Sequence, residues 1–250
     1  MQVRLFGELE AEQAGVPVPV HGAKQRALLA LLALRPGQPV SADQLIDAVW
    51  GDGQAANPVN ALQAQIGQLR RTLGASAVIT SDAGYALDIG PDDVDAARFE
   101  HLVAKGRRLL EEGETALAST ALGEALRLRR GEPLTEFAYA GFADAERAHL
   151  AELTPVAIET RVEADLVLGR HGELAGELEI TPEIAEYQQR FSRLISHRVP
   201  FCGAGRAFQL ALTPGAAEKF AAAPGSLAIP TWPAPAAGSP EATGSESSSP

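Results

Sequence analysis

The stretch NPVNALQAQIGQLRRTLG, residues 57–74, has the pattern of an α-helix with one buried side and two clear ends. Apolar side chains recur in it every three or four residues, which is the spacing of a buried helix face. These residues are Val59, Leu62, Ile66, Leu69 and Leu73. Asn57 suits the N-cap, Pro58 the first helical position, and Gly74 the position just past the end. The stretch therefore predicts an amphipathic helix with both boundaries marked.

The opposite side of this predicted helix carries amides, guanidinium groups and small residues, with no acid among them. At about 100° per residue, this side and its flanks consist of Asn60, Gln63, Ala64, Gly67, Gln68, Arg70 and Arg71. Amide and guanidinium groups can pair in two places with the edges of adenine and guanine, and Ala and Gly allow close approach. We interpret these residues as a candidate surface for reading DNA bases. The alternative is an ordinary solvated helix that lacks acids.

The composition indicates a protein of two small domains without a membrane segment. The chain has 250 residues, of which 46% are hydrophobic, and no stretch is apolar over the ~18 residues of a membrane span. Its first residues lack the order of a secretory signal. Cys202 is the single cysteine, which excludes an internal disulfide and fits a reducing compartment. We therefore expect a cytoplasmic protein with no membrane contact.

The net charge of −11 limits how such a chain can bind DNA. Residues 1–94 contain six Lys or Arg and ten Asp or Glu, and residues 95–180 contain ten Lys or Arg and seventeen Asp or Glu. Because phosphate contacts supply most non-specific affinity for DNA, binding must depend on a few placed cations. Lys24 and Arg26 are candidate phosphate contacts, although bare charges on a solvated helix need no such role. One of Arg70 and Arg71 can instead pair with an acid of the core helices.

The first ninety residues are predicted to form strands, three helices and a hairpin. Strands are predicted at 3–10, 16–20, 78–80 and 85–89, and helices at 22–34, 41–50 and 57–74. Ser41 and Gln44 have the spacing of a capping box, and the prolines of the second strand place it at a sheet edge. Three helices followed by a two-stranded ribbon is the order of a winged helix, whose third helix enters the major groove. We therefore predict an α+β winged helix-turn-helix domain.

Residues 95–180 are predicted to form an all-α domain built on a helical hairpin. Asp95 is the expected N-cap, and Gly113 marks a turn between two apolar stripes. The stripes are Phe99, Leu102, Val103, Gly106 and Leu110, then Leu117, Ala121, Leu122, Ala125 and Leu126. Small residues facing large ones in paired helices are typical of a TPR-like repeat. A further helix over about 142–168 contains Pro155, where we expect a kink or an early stop.

Four segments of the chain carry a family resemblance. They are KQRALLALLAL at 24–34, LIDAVWGD at 45–52, NALQAQIGQLRRTLG at 60–74 and VITSDAGYALDI at 78–89. Over residues 1–92, the chain resembles the OmpR-type winged-helix DNA-binding domain of the antibiotic-pathway activators of actinomycetes, the SARP family. Residues 95–180 resemble the bacterial transcriptional activator domain that follows it in the same family.

This resemblance implies a regulator that activates secondary-metabolite genes. It would bind double-stranded DNA at direct repeats near promoters, contact RNA polymerase, form a homodimer on DNA and lie in the cytoplasm at the nucleoid. Relatives commonly have a basic residue in the wing where this chain has Asp82. Because an acid repels phosphate, the wing is expected to add little affinity. The rival hypothesis is a truncated protein-interaction module with weak or no DNA binding, which modulates a full-length relative.

The end of the chain departs from the family pattern. Residues 181–220 have helical fragments that do not align with the family, so the helical domain at 95–180 is expected to be incomplete. Residues 221–250 are mostly Pro, Ala, Gly and Ser and are predicted to be a disordered tail. We consider two origins for residues 180–250, a divergent end and a shifted reading frame.

No enzymatic motif supports catalysis, a cofactor or a metal site. Gly203-Ala204-Gly205-Arg206 lacks the third glycine and the strand-turn-helix context of a dinucleotide loop. The five histidines are scattered without metal-ligand spacing, and neither a P-loop nor a Gly-x-Ser-x-Gly elbow occurs. We therefore predict a protein that is not an enzyme and holds no cofactor or metal.

Overall fold

The computed structural model describes residues 1–51 and 57–170. These residues belong to one compact unit. The predictions for residues 181–220 and 221–250, and for the single cysteine, lie outside the described residues.

An antiparallel sheet of three short strands opens the chain. Its order is β1 (Gln2–Arg4), β2 (Glu10–Gln13) and β3 (Val16–Pro17), with Val3 opposite Ala11. The single strand predicted over 3–10 is wrong, because the chain turns between β1 and β2. Leu5 and Phe6 are both buried there although they are neighbours, and Gly7 has a φ of 82° that a strand does not allow. The predicted second strand is shorter than expected and lies at the sheet edge.

Three helices follow at the predicted places. They are α1 (Ala23–Ala33), α2 (Ala42–Trp50) and α3 (Pro58–Leu73). The capping box of α2 is present, and the Asn57 side chain accepts a hydrogen bond from the backbone N–H of Asn60 at 3.1 Å. Four of the five apolar residues predicted to be buried in α3 are buried, but Val59 is 48% exposed. Side chains in a first turn lean past the start of the helix, so Val59 projects beyond the buried stripe.

The predicted hairpin forms a wing that is attached to the segment before α2. Its strands are β4 (Val78–Ser81) and β5 (Gly84–Leu87). Tyr85 and Val40 exchange two backbone hydrogen bonds, at 2.8 and 2.9 Å. Gly84 has a φ of +130°, and a Cβ atom there would lie 2.7 Å from the carbonyl carbon of Val40. A glycine is therefore required where the wing meets this segment.

The helical region contains α4 (Asp95–Glu111), α5 (Thr115–Leu128) and α6 (Gly141–Val167), with short 3₁₀ turns at Pro91–Asp93 and Thr135–Phe137. Helices α4 and α5 pack closely where Gly106 faces Leu122. This contact agrees with the prediction that small residues of one helix face large residues of the other. Leu117 is 56% exposed, so its predicted burial is wrong; like Val59, it lies in the first turn of its helix. Helix α6 continues through Pro155, so the early stop considered there does not occur.

The N-terminal sheet and the helical region share one hydrophobic core. Phe6 packs edge-on against Phe99 of α4, with ring centroids 5.3 Å apart. The N-cap of α4 is Val94, so the prediction that Asp95 caps this helix is wrong. Asp95 is instead buried, and its carboxylate accepts hydrogen bonds from the backbone N–H groups of Leu5 at 2.6 Å and Phe6 at 3.1 Å. Burial raises the pKa of Asp95, although these donors favour its ionised form.

Candidate nucleic-acid interface

The outer side of α3 is the polar surface that the sequence predicts. Asn60, Gln63, Ala64 and Arg71 are exposed, while Gly67 and Gln68 are half-buried. The buried side of the same helix packs into the core through Leu62, Ile66, Leu69 and Leu73. The outer residues therefore sit on an element whose orientation the core fixes, and no Asp or Glu occurs along α3.

Arg71 and Gln68 are linked on this surface. The Nε of Arg71 donates to the side-chain oxygen of Gln68 at 3.1 Å, and its Nη2 donates to the same oxygen. This contact orients the guanidinium along α3 and leaves its Nη1 group able to donate elsewhere. Gly67 lies beside it, and a Cβ atom there would meet only Nη1 of Arg71, at 3.8 Å. Of the two arginines of α3, Arg71 is thus the one that faces outwards.

Arg70 joins α3 to the wing. Its Nε and Nη2 donate to the carbonyl oxygen of Val78 at 2.9 and 2.7 Å, and Nη2 also donates to the hydroxyl of Thr80 at 2.7 Å. Both partners belong to β4, so the guanidinium holds this strand against the helix. This geometry favours a positioning role for Arg70 over a contact with a base. Its partners are a carbonyl and a hydroxyl rather than the acid that the sequence suggested as an alternative.

Arg26 lies apart from α3 and connects α1 to the helical region. Its Nε donates to Glu136 at 2.7 Å, its Nη1 to the carbonyl of Val20 at 3.1 Å, and its Nη2 to the carbonyl of Leu9 at 2.7 Å and to Glu136. Its hydrogen bond and charge hold the pKa of Glu136 below the usual range of a glutamate. Since all three guanidinium nitrogens have protein partners, the geometry argues against the predicted phosphate contact.

Lys24 remains at the surface near the end of α2. Its Nζ lies 5.1 Å from the ring centroid of Trp50, the last residue of that helix, which is a cation–π distance. The side chain is exposed, so its ammonium group can still donate towards solvent or a phosphate. The tip of the wing carries Asp82, which is exposed.

Val59 is the residue of this surface that sequence reasoning missed. Its spacing predicts that it belongs to the buried stripe, whereas the structure places it at the exposed start of α3. The signal available in the sequence was its position directly after Pro58, in the first turn of the helix.

Within 1–51 and 57–170, no cluster of three or more His, Cys, Asp or Glu side chains could hold a metal ion. No helix in these same ranges is long and apolar enough to cross a membrane.

Two family models match the chain in succession. Residues 20–87 match the model described as transcriptional regulatory protein, C terminal, and residues 94–196 match the bacterial transcriptional activator domain. Several curated proteins are similar over both parts. Regulatory protein DnrI of Streptomyces peucetius is 37% identical in an alignment of 189 residues that covers 71% of this chain and 70% of that protein.

Other relatives are longer than the part that this chain matches. Regulatory protein AfsR of Streptomyces griseus is 30% identical over 78% of this chain, but only 20% of that protein is covered. Transcriptional regulatory protein EmbR of Mycobacterium tuberculosis is 30% identical over 70% of this chain and 47% of its own length. A solved structure of Mycobacterium tuberculosis EmbR in complex with a low-affinity phosphopeptide has a TM-score of 0.67 at 23% identity. The match covers 87% of this chain and 65% of the EmbR chain. The likeness shows the same fold, which is a winged helix followed by a helical domain.

Proposed function

Because this chain belongs to the SARP family of regulatory proteins, we propose that it is a sequence-specific DNA-binding activator of transcription. Its target genes would be those of secondary metabolism, as in the antibiotic-pathway regulators of the family. The observation that carries the proposal is the outer side of α3, where Asn60, Gln63 and Arg71 are exposed without an acid on the helix.

In this proposal α3 lies in the major groove. Arg71 donates to O6 and N7 of a guanine, and Asn60 and Gln63 pair with N6 and N7 of adenines. Ala64 and Gly67 allow the helix to approach the base edges closely. Gln68 orients Arg71, to which it is hydrogen-bonded.

The remaining predicted contacts divide into phosphate binding and support. Lys24 is proposed to contact a phosphate, since its ammonium group is exposed. Arg70 supports the reading helix by holding β4 against it. We do not propose a DNA contact for Arg26, because its guanidinium is bound to Glu136 and to two carbonyl groups.

The small number of cations favours binding by two protomers. A helix that offers one outward arginine gains little phosphate affinity, whereas a second protomer on a neighbouring repeat raises the effective concentration of the first. We therefore propose a homodimer on direct repeats near promoters, with helices α4 to α6 as a TPR-like surface for dimerisation and for RNA polymerase. This role places the protein in the cytoplasm at the nucleoid.

Selection of duplexes from a random DNA library by the purified full chain tests the proposal. A repeated motif is expected, and log K should fall with log salt at a slope of only a few phosphates. Arg71→Ala is expected to weaken binding to the selected site by ~1–3 kcal/mol. Arg107→Ala removes an exposed arginine of α4 instead and should leave affinity unchanged. Equal affinity of parent and Arg71→Ala would remove Arg71 from the reading surface, and the absence of any motif would contradict the proposed function.

A second candidate function is favoured by the engagement of Arg26 and Arg70 within the protein. With these two cations occupied and Asp82 on the wing, the chain could act as a protein-interaction module that modulates a full-length relative. A pull-down that recovers such a relative, with no DNA retained by the chain at moderate salt, would support this alternative. Retention of a selected duplex under the same conditions would contradict it.

A further inference from the structure

Val59 is a large apolar side chain that the fold leaves in solvent at the start of α3. It is 48% exposed, whereas Leu62 and Ile66, the next large apolar residues of the helix, are buried. A valine that stays half exposed forgoes much of the free energy that its burial would provide. Core packing therefore accounts for the rest of the apolar stripe and not for Val59.

The position of Val59 places it beside the proposed reading residues. Val59 is the second residue of α3, and Gln63 follows four residues later, so that the two are neighbours on the helix surface. Both are exposed. In helix-turn-helix proteins, the N-terminal residues of the recognition helix are the ones that contact base edges. Val59 thus occupies a part of the helix that reaches bases rather than phosphates.

We propose that Val59 determines specificity by contacting the C5-methyl group of a thymine, next to the base that Gln63 contacts. This inference rests on the proposed function of α3. The thymine methyl is the apolar group that the major groove presents, while the other bases present donors and acceptors there. Against those polar groups a valine would remove water without replacing its hydrogen bonds. Val59 therefore favours one base by attraction and disfavours the others by desolvation.

Uracil substitution in the DNA isolates this contact, because deoxyuridine differs from thymidine only by the missing C5-methyl. Each thymine of the selected duplex is replaced singly, and binding is measured for the parent and for Val59→Ala. The parent is expected to lose about fourfold in affinity at one thymine, the effect of one buried methyl group. Val59→Ala should bind the thymine duplex more weakly than the parent does. It should bind the thymine and the uracil duplexes with equal affinity. Alanine is a good helix former, so α3 is retained, which circular dichroism checks.

Val16→Ala is the matched control, since Val16 is 64% exposed on β3 and the same two methyl groups are removed. It should keep the preference of the parent for thymine. The proposal is overturned if the parent ignores uracil at every position, or if Val59→Ala keeps the parent's ratio between thymine and uracil. If the parent selects no sequence at all, the proposed function fails together with this inference. If the parent binds a specific sequence but uracil substitution has no effect on its affinity, the inference about Val59 fails while the proposed function stands.

Discussion

Replacing Gly67 with alanine is expected to raise the free energy of unfolding by about 0.5–1 kcal/mol, because glycine is a poor helix former. Gly67 lies in the middle of α3 without a positive φ. The new Cβ would meet only Nη1 of Arg71, at the ordinary van der Waals distance of 3.8 Å. The fold therefore does not require glycine at this position. In our proposal, the glycine serves the close approach of DNA, so the same change should weaken binding to a selected duplex.

The same substitution at Gly106 is expected to have the opposite effect on stability. There the new Cβ would lie 2.5 Å from Cγ of Leu122 and 2.8 Å from one of its methyl carbons. Leu122 is fully buried, so it cannot move aside without shifting its neighbours. Overpacking costs ~1–3 kcal/mol in general, and a Cβ atom this close to a fully buried side chain belongs to the upper part of that range, ~2–3 kcal/mol, whereas the gain in helix propensity is ~1 kcal/mol. We expect a net loss of about 1–2 kcal/mol, with unchanged DNA affinity per folded molecule.

Thermal unfolding followed by circular dichroism measures both changes under one set of conditions. For a chain of this size, 1 kcal/mol shifts Tm by ~2–4 °C. Gly67→Ala should therefore raise Tm by roughly 1–4 °C, and Gly106→Ala should lower it by roughly 2–8 °C. A lower Tm for Gly67→Ala would show that the fold needs this glycine, which refutes the reasoning. Parent-like DNA affinity of the same variant would remove Gly67 from the proposed reading surface.

Three further changes test the contacts that hold the wing and the core. Gly84→Ala should lower the free energy of unfolding by more than about 2 kcal/mol, since its Cβ would collide with the backbone of Val40; urea unfolding measures this, and parent-like stability would contradict it. The pKa of Glu136 is lowered by Arg26, so this pair stabilises the fold above the ordinary pKa of a glutamate and the contribution is lost as pH falls through the lowered value. Glu136→Gln should accordingly reduce the loss of unfolding free energy at acid pH. An unchanged dependence on pH in that range would refute the role of the Arg26–Glu136 pair. Asp95→Ala should cost about 2–4 kcal/mol in urea unfolding, because the backbone N–H groups of Leu5, Phe6 and Ala96 lose their buried acceptor, and a loss below about 1 kcal/mol would show that water replaces it.

The parts of the fold that the sequence predicts well are those that local rules determine. The ends of α2 and α3 follow from the capping residues Ser41 and Asn57, and the wing follows from a tight turn between two short strands. The outer side of α3 follows from helical periodicity alone. Periodicity does not say where a helix extends past its core, so it predicts burial for Val59 and Leu117, both of which are exposed.

The parts that the sequence does not predict depend on partners far along the chain. Arg26 meets an acid that is 110 residues away, and Asp95 accepts from a backbone N–H that is 90 residues away. Arg70 meets a carbonyl oxygen only eight residues away, but the wing must first fold back on α3 to bring it there. Such contacts engage Arg26 and Arg70 within the fold. Local sequence rules do not reveal them, because they form only once distant or later segments have packed together.

Helix α3 and the helical region are coupled because residues of both belong to one hydrophobic core. The backbone N–H of Leu134 donates to the carbonyl of Leu5 at 2.7 Å, and that of Gly7 donates to the carbonyl of Glu132 at 2.9 Å. The segment after β1 thus takes its backbone partners from the helical region rather than from the winged helix. A destabilising change in α4 or α5 therefore lowers the folded fraction of α3 as well, and DNA binding falls without any change at the surface. For this reason the affinity of each variant must be expressed per folded molecule, and Gly106→Ala is the variant that separates loss of fold from loss of contact.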